Sequence, residues 1–197
     1  MIDRAKAIDL LSQIKVKGNA DGLIPSFGVL VNFFPSFFWN TVSEKMLKAA
    51  GDDDELYASI EVGLERAAAE CGYHTGYGII TSEEFQSIVG PMVEKEPDDI
   101  LHGAYAVFTA WGWADAEIVE LSPERKVVRV KDYYESDIRD TMRVRKPFAY
   151  MIRGVTRAFM DLAYGAKYPQ GFGTFTSAQT KAIELGDSYG EFVITRA

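Results

Sequence analysis

Apolar residues recur at helical spacing from Asp3 to Lys15, with Ala7, Leu10, Leu11 and Ile14 on one face, which predicts an amphipathic helix. Gly18 to Gly22 ends it. The run Phe27 to Phe33 (FGVLVNF) is rich in β-formers and predicts a buried strand. Pro35 and Ser36 open a helix that passes through Trp39 and Met46 to Ala50. Gly51 and three aspartates close it and begin the next, with Asp54 expected as the N-cap. That next helix spans Glu55 to about Gly78, with Leu56, Ile60, Leu64, Ala67 and Cys71 as its apolar stripe. Gly63, Gly72, Gly76 and Gly78 weaken it and admit another backbone close by. The stretch Thr81-Ser82-Glu83-Glu84 predicts a capped start to a further short helix.

Beyond a polar loop at Gly90 to Asp99, a helix is expected from Pro97 to about Trp111. The period then changes from 3.6 to 2. Ala114 to Leu121 and Lys126 to Asp132 read as strands joined by the turn Ser122-Pro123-Glu124-Arg125. Lys146 to Tyr164 is a strong helix with the stripe Phe148, Ile152, Val155, Phe159 and Leu162. Thr174 to Leu185 and Tyr189 to Thr195 read as a hairpin closed around Gly186-Asp187. Helices, hairpin, helix, hairpin is an α+β order: an antiparallel sheet of two hairpins packed against helices, with an N-terminal helical extension. The polar loop divides the chain into residues 1–90, a helical and dimerisation region, and residues 91–197, a ligand-binding domain, expected to form one compact unit together. No repeat or low-complexity tract interrupts it.

Composition narrows the class. The net charge is -8, and an acidic chain repels phosphate backbones, so nucleic acid is not expected as a partner. Cys71 is the only cysteine, so no intramolecular disulfide forms, and a cytoplasmic location is the simplest expectation. The N-terminus mixes charge into its apolar positions, unlike a signal peptide, and the apolar stretch Leu23 to Trp39 is too short for a membrane span. No nucleophile–base pair, phosphate loop or metal motif stands out.

Three segments resemble the 4-vinyl-reductase domain family. They are Ala110-Trp111-Gly112-Trp113 followed by Ala116-Glu117-Ile118-Val119; Lys146-Pro147-Phe148-Ala149-Tyr150 running into Arg153-Gly154; and the closing segment from Gln179 to Ile194. The first ninety residues resemble it through Gly72, Tyr73 and Gly76 alone. The family includes phenol-sensing domains of transcription activators and hydrocarbon-binding proteins, and transport-complex subunits that hold a fatty acyl chain have a related fold. Zinc-containing relatives place ligands where this chain has Ala149, Gln179, Ala182 and Gly190. Alanine and glycine have no ligating side chain and a neutral amide is a poor zinc ligand, so neither zinc nor any other cofactor is expected.

The resemblance implies binding or sensing of a small hydrophobic or aromatic molecule without catalysis. Candidate ligand-binding residues are His102, Tyr105, Phe108, Trp111, Trp113, Tyr150, Phe159, Phe37 and Phe38. Twelve phenylalanines, ten tyrosines and three tryptophans are enough to fill a core and also wall a pocket, expected between the helix Pro97 to Trp111, the helix Lys146 to Tyr164 and the sheet. His102 and Tyr105 would orient the ligand.

Other readings stay open. One is an enzyme or accessory protein of tetrapyrrole or aromatic metabolism. Another is a structural assembly subunit. A third is a haem sensor with His102 as axial ligand, although Tyr134-Glu135-Ser136-Asp137-Ile138-Arg139 is one residue longer than the Tyr-x-Ser-x-Arg of haem nitric-oxide sensors. His74 and Cys71 read as structural, Cys71 as a small buried hydrophobe. A homodimer is expected through the first helix and Leu23 to Trp39, together with a protein partner for signalling.

Overall fold

The computed structural model describes residues 2–142 and 144–197. Its α+β architecture is an antiparallel four-stranded sheet covered by helices, with a small separate hairpin near the N-terminus. In chain order come α1 (Arg4–Ser12), β1 (Pro25–Ser26), β2 (Val29–Leu30), α2 (Phe37–Ala49), α3 (Asp54–Thr81) and α4 (Glu83–Ile88). Then follow α5 (Asp98–Ala110), β3 (Ala114–Leu121), β4 (Arg125–Tyr133), α6 (Tyr150–Tyr164), β5 (Phe175–Lys181) and β6 (Gly190–Arg196). The strand order β3-β4-β6-β5 joins the two hairpins through β4 and β6, with Val128 opposite Phe192. β4 turns Lys126, Val128 and Val130 toward the helices by the two-residue strand period. There Val128 and Val130 pack with Tyr105 and Phe108 of α5 and Ile152 and Phe159 of α6.

α3 lies across α6, and the contact is made by small residues. A Cβ on Gly154 would run into the Glu65 carbonyl oxygen and come within 2.7 Å of the Ala68 Cβ and the Ala69 nitrogen. A Cβ on Gly72 would sit 3.1 Å from Val155. Arg153 and Arg157 of α6 flank the contact and reach Glu65 at 3.2 and 3.7 Å. The buried face of α3 is therefore Ala68, Ala69, Gly72, Tyr73 and Gly76. The expected stripe is displaced, leaving Leu56, Ala67 and Cys71 exposed, because close backbone approach fixes the face here and the larger side chains do not.

Other expectations are corrected at the turns. Phe27 to Phe33 is not one buried strand: only Val29–Leu30 is extended, with Leu30 exposed, and Phe27 and Gly28 have positive φ, 51° and 70°, and form the tight turn between β1 and β2. Phenylalanine is strained in that conformation, and burial of its ring edge-on against Trp111, centroids 5.0 Å apart, offsets the strain. Asp53, not Asp54, caps α3, accepting from the Leu56 N–H at 2.9 Å. α6 begins at Tyr150, where the Glu135 carboxylate accepts the free Met151 and Ile152 N–H groups of the first turn. Between β5 and β6 the chain makes a 3-10 turn at Ile183–Leu185 before Gly186, so the hairpin loop is longer than Gly186-Asp187. Ser82 caps α4 as the sequence predicts. α1 buries Ala7 and Leu11 against α4 and α5 of its own chain.

Candidate functional site: an apolar crevice

Where α3, α5 and α6 converge they leave space. A cavity of about 80 Å³ is bounded by Gly72, Gly76 and Ile80 of α3, Ala104 and Phe108 of α5, and Met151, Val155 and Phe159 of α6. Trp111 and Trp113 lie at one end, and Thr75 and Cys71 supply its few polar atoms. A second space of about 260 Å³ shares Gly76, Ile80, Ala104 and Phe159 with the first and continues toward Pro97, Ile100 and Leu162. Together the two form a crevice with room for a single ring; an apolar cavity of ~150 Å³ accepts benzene in a well-studied case. At its edge α3 packs closely on α6: a Cβ on Gly72 would meet Val155 at 3.1 Å and one on Gly76 would meet Leu162 at 2.9 Å.

The structure brings four of the predicted residues, Phe108, Trp111, Trp113 and Phe159, to this wall. Phe108 stacks on Trp113 at 5.6 Å, and Phe159 meets Phe108 edge-on at 6.0 Å. The third wall is α3, where the sequence reading places the sheet. Tyr105 lies behind the wall, its ring edge-on to Phe159 at 5.3 Å. His102, on the same helix face, does not line the crevice, and burial lowers its pKa, favouring the neutral ring. Tyr150 is buried elsewhere, its hydroxyl donating to Glu61 at 2.7 Å. Phe37 and Phe38 are on the surface. Cys71 is exposed at the crevice rather than buried.

Lys126 opens a strand in the sequence reading but is not among its candidate site residues. It has no exposed surface, although nothing about a lysine in a strand signals burial. Its Nζ donates to the Tyr105 hydroxyl and to the Thr156 carbonyl, both at 2.8 Å, joining β4 to α5 and α6. Burial pushes its pKa well down, opposed by the charge of Asp161. Burial pushes the Tyr105 phenol well up.

Of the four positions matched to zinc ligands, Ala149 and Gln179 join a buried hydrogen-bond network, and Gly190 borders it at Tyr133. The Ala149 N–H donates to Gln179 Oε1 at 3.2 Å, and Gln179 Nε2 donates to the Tyr133 hydroxyl at 3.0 Å and to Glu184 at 3.1 Å. Tyr133 donates in turn to Glu184, whose other oxygen accepts from the Phe148 N–H at 2.7 Å. The Ala182 N–H is held by Asp187 at 2.8 Å. Gly190 is empty because the Tyr133 ring takes its place, 2.7 Å from where a Cβ would stand. Among the described residues no cluster of three or more His, Cys, Asp and Glu side chains is placed to hold a metal.

This α+β fold is shared with solved structures of low sequence identity. The phenol-responsive sensory domain of the transcription activator PoxR, solved with phenol, superposes with a TM-score of 0.72 at 10% identity, over 98% of this chain and 90% of that one. A trafficking protein particle complex subunit 3 from Naegleria fowleri, covalently bound to palmitic acid, gives a TM-score of 0.53 at 19% identity, over 82% of this chain and 92% of that one. A vinyl-4-reductase family protein from Methanocaldococcus jannaschii gives 0.47 at 9% identity, over 85% and 84% of the two chains. By sequence, no family profile and no curated protein matches the chain. No helix among the described residues is long and apolar enough to cross a membrane.

Proposed function

We propose that this protein is a non-catalytic binding or sensing module for a small hydrophobic or aromatic molecule, held in the crevice between α3, α5 and α6. The carrying observation is the wall itself: aromatic and aliphatic side chains from three helices surround a space they leave unfilled. An unfilled apolar space costs stability and is a ready site for an apolar guest. The shared fold with a phenol-responsive domain and with a palmitate-bound subunit supports the same reading. Residues 91–197 would carry most of the site, in a cytoplasmic protein. Residues 1–90 would supply the α3 wall and pair with a second copy, and the signal would pass to a protein partner.

Calorimetric titration with toluene tests the site. We expect saturable binding by the wild-type protein and none by Ala104→Leu, which fills the space shared by both halves of the crevice. Wild-type protein that takes up no toluene, or an Ala104→Leu variant that binds it equally well, would overturn the proposal.

A further inference from the structure

We propose that the crevice takes an apolar amine: a molecule whose ring or chain lies between the helices and whose ammonium group stands at the mouth, beside Glu96. The inference rests on the crevice being the ligand site and adds the charge and hydrogen-bonding character of what enters it. The second space has two unlike ends. Inward it is walled by Gly76, Leu101, Ala104 and Phe159, the last three with almost no exposed surface. Outward it meets solvent at Thr81, Gln86 and Glu96, all exposed. A guest that fills it has apolar walls along its body and a polar rim at its head.

That rim is rich in acceptors. The Thr81 hydroxyl spends its proton on the Tyr77 carbonyl at 2.8 Å and keeps only lone pairs. The Gln86 amide donates to the Ile80 carbonyl at 2.7 Å and keeps its oxygen and one N–H. Glu96 adds a carboxylate; Lys95 beside it in the chain is paired with Asp98 instead. Among the described residues that line either space none is a lysine, arginine or histidine. A carboxylate or phosphate head would meet like charge at the mouth and no cation to offset it. An ammonium has three donors and no acceptor, the complement of this rim, and its charge pairs with Glu96. The spacing also fits. Thr81 follows Gly76 on α3 by ~7.5 Å of helix axis, so an ammonium two carbons from a ring reaches the mouth while the ring lies against Phe159.

Phenethylamine and 3-phenylpropionate share a ring and a two-carbon spacer and carry opposite charges; propylbenzene is their uncharged match. In calorimetric titrations at neutral pH, wild-type protein should bind phenethylamine at least about tenfold more tightly than 3-phenylpropionate, and added salt should shrink that ratio. Glu96→Gln should cut the ratio by at least about threefold while propylbenzene affinity stays within about twofold. Glu55→Gln removes the same charge from the first turn of α3, far from the mouth, and should leave the ratio unchanged, which separates the rim from the overall charge of -8. Propylbenzene binding without a preference for the amine overturns the inference and leaves the crevice reading intact. So does a preference that survives Glu96→Gln or that Glu55→Gln reduces equally. Failure of toluene and of all three of these molecules to bind overturns the two together.

Discussion

Glu135 shows how one buried group ties stability to pH. It has almost no exposed surface, and its carboxylate accepts the Met151 and Ile152 N–H groups at 2.9 Å, at the start of α6. Burial pushes its pKa up from 4.5 to about 8; the two N–H bonds and Arg153 oppose that shift, and Glu184 adds to it. Between those values the folded protein therefore holds a proton that the unfolded chain has lost. The associated stability is fully present below about pH 4.5 and is lost as pH rises through about 8, a difference on the order of a few kcal/mol. Glu135→Gln removes the proton exchange and keeps an acceptor for the helix terminus. Urea denaturation at pH 5, 7 and 9 should show a flatter pH dependence for the variant and a stability advantage over wild type at pH 9. Parallel pH profiles would show that Glu135 does not carry the effect.

At the scale of elements, two glycines on crossing helices have opposite expected behaviour. Gly154 faces the backbone of α3, so Gly154→Ala must push the helices apart, which should cost ~3 kcal/mol or more. Gly63 has nothing within 4 Å of a built Cβ and lies inside α3, so Gly63→Ala should stabilise by up to ~1 kcal/mol through helix propensity. Thermal denaturation of the two variants decides, and a Gly154→Ala variant as stable as wild type would show that the α3–α6 contact is looser than described.

The same contact explains what the sequence conceals. Periodicity finds α5, β3, β4 and most of α6, because each packs by its own large apolar side chains. It misplaces the face of α3, because that face is set by a glycine about 85 positions further along the chain. Phe27 misleads for a related reason: its ring is buried from a turn, so its β-propensity reports nothing about its backbone. Half of the crevice wall was legible, namely the aromatics of α5 and α6. The other half, the small residues of α3, has no pattern of its own, and Lys126 reads as an ordinary solvent-facing strand residue until its partners come together.

On the scale of the whole molecule, an apolar surface is exposed around residues 23–46. Residues 22 to 43 contain no Asp, Glu, Lys or Arg, in a chain that is 25% charged. Within and beside that stretch Leu30, Phe33, Phe34 and Phe37 are all more than half exposed, with Leu23, Phe38, Trp39 and Met46 exposed around them. Phe34, Phe38 and Trp39 pack on one another, with Phe34 and Phe38 stacked at 4.9 Å. At 150–250 Å² per ring these exposures leave on the order of 700–800 Å² of apolar surface, close to the ~800 Å² each partner gives to a standard interface. A second copy of the chain is the proposed occupant. Two molecules of net charge -8 repel, and a charge-free stretch is where they approach at least cost; an anionic bilayer would find no basic residue within residues 22–43 to bind. Light scattering should therefore give twice the 21.9 kDa chain mass, and Phe33→Glu with Phe37→Glu should give the chain mass with the circular dichroism of the fold unchanged. Both residues stand away from the crevice, so toluene binding should survive in the dissociated variant. A wild-type mass of 21.9 kDa across a wide concentration range, or a variant that still pairs, would mean that something other than a second copy covers this face.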